Sequence, residues 1–533
     1  MLNLIASFMG TMGEDSMRDD PSSSSSWSLL RVLMMIGMSL LVIVASWFVV
    51  GLFKLMKNMA KVSHIPGTFQ FMFSPIRIPL LAPLFYMGNW EEIYQAIDKY
   101  GDKKGSLRVS YQAGNTFTTC NKDILKEIFI TKASAFDKPE FLYDMFNLID
   151  VNILSALTTS DWKKHHKVVS PAFSKDNLEY VCEEAVNCTD LMMKLFWEKR
   201  LKKDGKLTLS DDDFCSITLE VLGRAGFGLS FGVFDEKDET GKQFRDAVEK
   251  VINIGIMVKR FAPNTFLYHL ILKLTGIEKA ITFVNNILDK HIEERKKEAD
   301  ENFDNFSKRD ILSLLVKGNT IEKVLTNSEL KSNSLLITLA GDETTSTTLS
   351  WIIYHLSKNK DVQEKAREEV NKLLPNQEKP SAETFEKLEY INAIVMETLR
   401  VNPAVLGVLK VANKDVQLGE YKIPKGTFIE GNIYATHKDW PEAKVFKPER
   451  FMDPELRAKS QHDFSYLPFS SGIRKCIGYK FASMEACMVT ARLLQFYKFD
   501  LLNDEKNGDV IIPSSGITVR PLNLKVRITP LNC

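Results

Sequence analysis

Between Val32 and Phe53 the chain carries 22 consecutive uncharged, mostly apolar residues, and this run constrains the fold more than any other stretch. As a helix it would be about 33 Å long, close to the hydrocarbon thickness of a bilayer. A cleaved signal peptide is disfavoured, because the run is longer than an h-region and a secreted product would oxidise its unpaired thiols. The run therefore reads as a retained, single-pass anchor. Lys54, Lys57 and Lys61 follow it, whereas Glu14, Asp15, Asp19 and Asp20 precede it with only Arg18 and Arg31 as basic company. The positive excess lies on the C-terminal side, so the bulk of the chain is expected to face the cytosol. The same acids argue against a mitochondrial transit peptide.

Four segments follow from this reading. Residues 1–31 form a polar tail, whose first 26 residues end in a serine run and cannot bury a core. Residues 32–53 are the anchor, 54–67 a basic linker with a proline hinge, and 68–533 one large unit uninterrupted by any Gly/Ser- or Pro-rich linker. The charges nearly cancel, 69 basic against 68 acidic, which gives no support to a nucleic-acid partner. The seven cysteines (Cys120, Cys182, Cys188, Cys215, Cys476, Cys487, Cys533) form no C-x-x-C pair, which disfavours a disulfide scaffold or a zinc module and fits a reducing compartment.

The chemistry concentrates in Phe469-Ser-Ser-Gly472-Ile-Arg474-Lys-Cys476-Ile-Gly478. Glycines at −4 and +2 allow a tight turn on which backbone N–H groups approach the sulfur closely. Those donors, with Arg474, favour thiolate over thiol. A thiolate axial ligand pushes electron density onto haem iron and suits oxygen activation. The segment Leu335–Ser357 is apolar at both ends yet carries Gly341-Asp-Glu-Thr-Thr-Ser-Thr-Thr348 in its middle. A polar run inside an apolar helix is costly unless it contacts something, so function is expected there.

The string Phe-x-x-Gly-x-Arg-x-Cys-x-Gly is the haem signature that this chain shares with the cytochrome P-450 monooxygenases. Three further motifs resemble that family in its own order: Ala340-Gly-Asp-Glu343-Thr344-Thr345, Glu397-Thr-Leu-Arg400 and Phe446-Lys-Pro448-Glu449-Arg450-Phe451. Weaker similarity runs from about Pro66 to Pro530. The resemblance implies a mainly α fold with a small β region, preceded by one N-terminal transmembrane helix. It implies haem b as cofactor, Cys476 as iron ligand, and Phe469, Gly472, Gly478 and Gly341 shaping the haem pocket. Arg474, Trp162, His166 and Lys410 are expected at the haem propionates, with His166 standing where relatives carry Arg. Glu343 and Thr344 are expected to relay protons to dioxygen, and Glu397, Arg400 and Arg450 to lock the cysteine loop. Ala340, Ala404, Val405, Leu406 and the segment Ser514–Thr518 are expected to border the substrate cavity. That lining and Phe136–Leu157 look mostly apolar and suggest a lipophilic substrate, a lipid, sterol or xenobiotic.

No Rossmann-type glycine fingerprint occurs in the chain, so NADPH is expected to bind a partner. The resemblance names NADPH–cytochrome P-450 reductase, with cytochrome b5 as a further donor, and places the protein in the endoplasmic reticulum membrane. Lys163, Lys164, Lys167 and Lys475 offer a basic patch for an acidic flavoprotein. Glu343 and Thr344 weigh against a peroxide-rearranging relative. Steady NADPH consumption with reductase would separate an enzyme from a membrane-bound haem sensor. Architecture is also legible elsewhere. Leu107, Val109, Tyr111 and Phe117 alternate as strands do, and Leu219–Gly228 resembles a packing helix common in microsomal members of that family. Asp361-Val-Gln-Glu364 reads as a capping box opening an amphipathic helix that Pro375 stops.

Overall fold

The computed structural model of the chain describes residues 23–69, 90–111, 114–157, 159–235, 237–261, 266–301, 310–504, 509, 511–513 and 517–531. Most of the expected polar tail and residues 514–516 of the expected cavity loop lie outside them.

Helix α1 spans Ser23–Lys61. Its apolar run lies bare, with Leu41 70% and Phe53 65% exposed. By length and composition this is a candidate membrane span. The helix does not stop where the apolar run stops. Lys54, Lys57 and Lys61 are good helix formers spaced to share one exposed face, which leaves Leu55, Asn58 and Val62 on the opposite one. Leu55, Val62 and Ile65 are buried against the domain. Asn58 donates to the Tyr111 carbonyl at 3.0 Å, and Asn115 donates to the Asn58 carbonyl at 3.0 Å. The segment read as a linker and hinge is thus a helix end docked on the sheet.

That sheet has six strands. They are β1 (Gly67–Phe69), β2 (Ser106–Ser110), β3 (Asn115–Thr119), β4 (Phe136–Asp137), β5 (Gly407–Ala412) and, after the hairpin β6 (Val416–Leu418) and β7 (Tyr421–Ile423), β8 (Phe428–Asn432). The order is β1-β2-β3-β8-β5-β4. β1, the chain just after α1, pairs in parallel with β2. The rest is mostly helical, 64% of the structure, as the motifs led one to expect.

The helices that build the site are α2 (Thr159–Val169), α3 (Lys175–Met192), α4 (Asp211–Val221), α5 (Asn327–Lys358), α6 (Lys360–Leu373), α7 (Glu389–Val401) and α8 (Tyr479–Phe496). Residues of α3 and α5–α8 share the largest core cluster, with Cys182, Leu356, Val370, Ile391 and Leu493 all at 0% exposure. α5 is 32 residues long, about 48 Å at 1.5 Å per residue. It opens on a capping box between Thr326 and Glu329. Gly341, in its middle, faces Leu222, whose side chain would lie 3.1 Å from an added Cβ. The glycine lets α5 approach the π-helical turn Leu222–Gly226 that interrupts the expected packing helix.

The capping box expected at Asp361–Glu364 does not form. α6 starts at Lys360 with Asn359 as its cap and no side-chain cap bond, because the chain passes almost directly from α5 into α6. Glu364 pairs instead with Arg367 at 2.7 Å. The apolar stripe Val362, Ala366, Val370 and Leu374 is buried as its spacing requires.

Glu397, on α7, is 0% exposed. Its carboxylate receives both Nε (2.7 Å) and Nη2 (2.9 Å) of Arg400, and Nε of Arg450 at 3.0 Å. The Lys447 backbone N–H adds a fourth bond at 2.8 Å. Arg400 also donates to the carbonyls of His437, Ala443 and Val445, and Arg450 to that of Pro441. A helix spaced i, i+3 is thereby tied to the 437–450 segment that leads into the cysteine loop. Glu397→Ala would leave two buried guanidinium groups without their carboxylate, a loss on the order of 3–5 kcal/mol. The expected outcome is a poor yield of haem-loaded protein and a lowered melting temperature in thermal denaturation; wild-type values for both would show that the pairing does not hold the loop.

Candidate functional site

The cysteine loop is closed by its own backbone. The Cys476 N–H donates to the Phe469 carbonyl at 3.0 Å, Lys475 N–H to Gly472 at 3.1 Å and Ser470 N–H to Leu467 at 2.9 Å. Gly472 has φ +72°, and a Cβ there would collide with the Phe129 carbonyl. Both facts demand glycine. Gly478 is different. Its φ is −88° and a Cβ would meet only the Phe173 ring edge, at 3.6 Å. Its contribution is the N–H, which reaches the sulfur.

Cys476 is accessible, although it lies deep enough for burial to raise its thiol above the ordinary value. The Gly478 N–H and the Lys475 charge act in the opposite direction. An accessible thiol surrounded by protein borders an internal cavity. Among the described residues no group of three or more His, Cys, Asp or Glu side chains could hold a bare metal ion. A single sulfur with N–H donors behind it suits an iron already held by a porphyrin.

Beside the loop, cations converge with little to neutralise them. Arg474 donates to the carbonyls of Ala156 (2.9 Å) and Leu157 (3.2 Å), and its guanidinium lies 4.8 Å from the Trp162 ring. Burial lowers Arg474 to about 10. Trp162 and His166, one turn apart on α2, have ring centroids 4.5 Å apart. Burial, then the Arg474 charge, lowers His166. Burial and Arg474 also bring Lys410 down to about 8. Lys138 was not singled out in the sequence, yet burial and the charges of Arg474 and Lys410 push it well below the usual lysine range. It donates to the Leu154 carbonyl and lies 4.5 Å from the Tyr143 ring centroid. Lys138, Lys410, Arg474, Ser471 and Phe129 line one small cleft, with Asp137 as the nearby acid. Cations that depress one another inside a protein mark a place for a polyanion. Two carboxylates at the edge of a porphyrin fit it. Lys138 and Lys410 are brought together by the β4–β5 pairing, since Asp137 lies opposite Val411.

On α5, Ile337, Ala340, Gly341 and Thr344 keep some exposure while most of the helix between Leu330 and Ser357 is buried. The spacing i, i+3, i+4, i+7 is one helix face, so these residues border a cavity. The Thr344 hydroxyl donates back to the Ala340 carbonyl at 2.9 Å. Glu343 points elsewhere, as a step of about 100° along a helix requires. It is 4% exposed and accepts from the Thr518 hydroxyl and from Arg520, whose Nε lies at 2.8 Å. The structure therefore does not aim Glu343 and Thr344 at one point. Thr518, expected along the cavity, is occupied by Glu343. Ala404 is 8% and Val405 37% exposed, and the Ala404 carbonyl accepts from Val519 N–H at 3.1 Å. Lys163, Lys167 and Lys475 are exposed, whereas Lys164 pairs with Glu329 at 2.5 Å.

The fold and this arrangement belong to one class of protein, the haem-thiolate oxidoreductases. The profile of the Cytochrome P450 family matches residues 73–528. Among curated proteins, the chain is 28% identical over 448 residues to cytochrome P450 3A9 of Rattus norvegicus, covering 80% of this chain and 86% of the other. It is 32% identical over 417 residues to cytochrome P450 72A68 of Medicago truncatula, covering 74% and 75%. With cytochrome P450 4c21 of Blattella germanica the identity is 25% over 470 residues, covering 84% and 91%. The chain belongs to the cytochrome P450 family, haem b enzymes that insert one atom of dioxygen into substrate and take electrons from redox partners.

The cation cluster generates a test on the cofactor itself. If Lys138 binds a propionate, replacing it by Gln removes one charge-assisted bond, about 1.5–3 kcal/mol, and haem transfer to an apo-haem acceptor should speed up about tenfold or more. The reduced carbon monoxide spectrum should not move, because the sulfur ligand is untouched. An unchanged transfer rate would place Lys138 outside the propionate site.

Proposed function

We propose that this protein is a membrane-anchored monooxygenase that hydroxylates or epoxidises a lipophilic small molecule, with electrons from NADPH–cytochrome P450 reductase and cytochrome b5 as a second donor. Its catalytic domain stands on the cytosolic face of the endoplasmic reticulum, behind α1. The observation that carries the reading is Cys476, a lone accessible thiol inside the protein on a backbone-closed loop, flanked by buried cations.

In this reading Cys476 ligates the iron, and Phe469, Gly472 and Gly478 shape its loop. Arg474, Trp162, His166, Lys410 and Lys138 hold the propionates. When bound, the thiolate-ligated haem supplies the oxygen-activating chemistry. The chain's own residues do the rest. Glu397 with Arg400 and Arg450 fixes the approach to the loop, and Gly341 lets α5 pack close on Leu222. Ala340, Ala404, Val405 and Leu406 border the substrate, their apolar surface keeping bulk water from it. Thr344 holds a proton at its hydroxyl on the cavity face of α5, and Glu343 is the carboxylate through which protons enter from the Arg520 side. Lys163, Lys167 and Lys475 form the exposed basic patch that meets an acidic donor.

Cys476→His substitutes an imidazole for the thiolate. The expected protein retains some haem but loses the strongly red-shifted band of the reduced carbon monoxide complex and all reductase-driven turnover. Retention of that band would remove Cys476 from the iron.

Thr344→Val keeps the shape and deletes the hydroxyl. Folding and haem content should stay near wild type, while product formed per NADPH falls by about a hundredfold, the smaller end of what positioned proton transfer contributes. Comparable coupling in the two proteins would take Thr344 out of proton delivery.

A further inference from the structure

Between Trp162 and His166 on α2 stands a histidine that none of the roles above uses. His165 is fully buried, and its ring is turned to α5, where Nδ1 lies 2.9 Å from Nδ2 of the equally buried Asn333. The same Nδ2 donates to the Glu329 carbonyl at 2.6 Å, while Asn333 Oδ1 accepts the Ile153 N–H at 2.9 Å. These contacts fix both side chains. With Oδ1 committed to a backbone donor, the amide nitrogen faces the ring, so Nδ1 acts as acceptor and the ring proton sits on Nε2. Among the described residues Nε2 has no hydrogen-bond partner, and the Glu329 carboxylate is 3.9 Å away.

What Asn333 holds is the segment that carries the cations of the small cleft. Asn152, also buried, donates to Ser332 Oγ at 3.3 Å and accepts from the Leu154 and Ser155 N–H groups at 3.1 Å. Ser332 donates to the Asp150 carbonyl at 2.5 Å. Residues 150–155 are thus pinned to the N-terminal part of α5. From there the Leu154 carbonyl accepts from Lys138, and the carbonyls of Ala156 and Leu157 accept from Arg474. The Nδ1 lone pair is linked to both cations through Asn333 and one short stretch of backbone.

We propose that His165 is a positioning residue for the haem: its neutral ring orients Asn333, Asn333 holds residues 150–157, that segment sets Arg474 and Lys138 against the propionates, and protonating His165 therefore loosens the haem. This rests on the propionate reading above and adds its response to acid. Protonation places an N–H on Nδ1, facing the amide N–H. Turning the amide round presents its NH2 to the Ile153 N–H instead. Either way a buried donor loses its acceptor. The charges facing the ring are Glu329 from α5, Asp150 from the pinned segment, and Lys164 and Asp161 from α2. Burial outweighs the three acids and, helped by Lys164, holds the imidazole below its ordinary value. A histidine lowered on folding contributes stability above its unfolded value of about 6.5 and loses it as the pH falls through the lower folded value. His166 titrates with the opposite consequence, because its charged form attracts a propionate.

Two variants of the haem-loaded full chain separate these effects. Asn at 165 puts an amide oxygen where histidine carries Nδ1 but does not titrate, whereas Leu fills the space without an acceptor. Haem transfer to an apo-haem acceptor is measured beside hydrogen exchange of the peptide containing Ile153. At neutral pH His165→Leu should release haem about tenfold or more faster than wild type and exchange Ile153 faster, while His165→Asn restores both. As the pH is lowered below about 6.5, the wild-type rate divided by the His165→Asn rate should climb from about one toward tenfold, a ratio in which His166 and the thiolate cancel. That ratio decides the matter even where His165→Leu folds poorly. A ratio that stays constant with pH, or a His165→Leu protein as retentive as wild type, overturns the assignment. Ile153 exchange that follows the variants while haem transfer does not would overturn the link from the pinned segment to the propionates. Absence of the thiolate band in wild type would overturn the haem-thiolate reading itself.

Discussion

One buried carboxylate decides whether the rest of the site can exist. Glu397 accepts from Arg400, Arg450 and the Lys447 backbone at once. Two guanidinium groups removed from water would be prohibitive without it, and a lone buried carboxylate would be equally costly without them. The network continues toward the sulfur through His437. The Leu467 N–H donates to His437 Nε2 at 2.8 Å, so the ring proton sits on Nδ1 and is donated to the Arg400 carbonyl at 3.2 Å. Burial first and the Arg400 charge second lower this imidazole to about 3, which keeps it neutral and able to play both parts. Leu467 in turn accepts Ser470 N–H, the first closing bond of the loop. A helix-borne ion pair thus sets the position of a cysteine far along the chain through a sequence of directional bonds.

How much of this was legible in the sequence depends on how far apart the partners lie. The stripe of α6 and the alternation of β2 and β3 are local patterns, and local patterns survive folding when one face is buried. The capping box at Asp361 failed for a local reason too, since it assumed a loop before α6 where α5 leaves almost no room for one. The docking of residues 54–67 on the sheet was not legible, because Pro66 was read without its partner. The Pro66 carbonyl accepts from Arg108 N–H at 2.9 Å, and Asn58 bonds at Tyr111 and Asn115, contacts that no window around residues 54–67 contains.

The site shows the same division. The loop motif was readable because glycine, arginine and cysteine sit within one turn of backbone. Lys138 was not, because its meaning comes from Lys410 and Arg474, which the β4–β5 pairing and the cysteine loop bring to it. The local signal was a lysine followed directly by proline, with Asp137 and Glu140 on either side, and that pattern is common in exposed turns. The pairing of Glu343 with Arg520 was hidden likewise. Two adjacent residues on a helix read naturally as one unit, but the 100° step separates their faces, and an arginine near the C-terminus claims one of them.

The buried titratable groups fall into two electrostatic environments. Toward the cysteine loop the protein gathers cations, Lys138, Lys410 and Arg474, which weaken one another and favour an anion among them. Against α4 and α8 it gathers acids. Asp342 is raised to about 7, by burial before anything else and against the pull of a 2.6 Å bond from the Thr218 hydroxyl. Glu485 on α8 is raised well above the carboxylate range by burial and by Asp342. Arg520 faces this group, bound to Glu343 and 3.5 Å from Glu249. The cations beside the cysteine loop depress one another and so favour an anion among them, while for the acids against α4 and α8 burial and mutual repulsion outweigh the 2.6 Å bond that Asp342 accepts and favour the protonated forms.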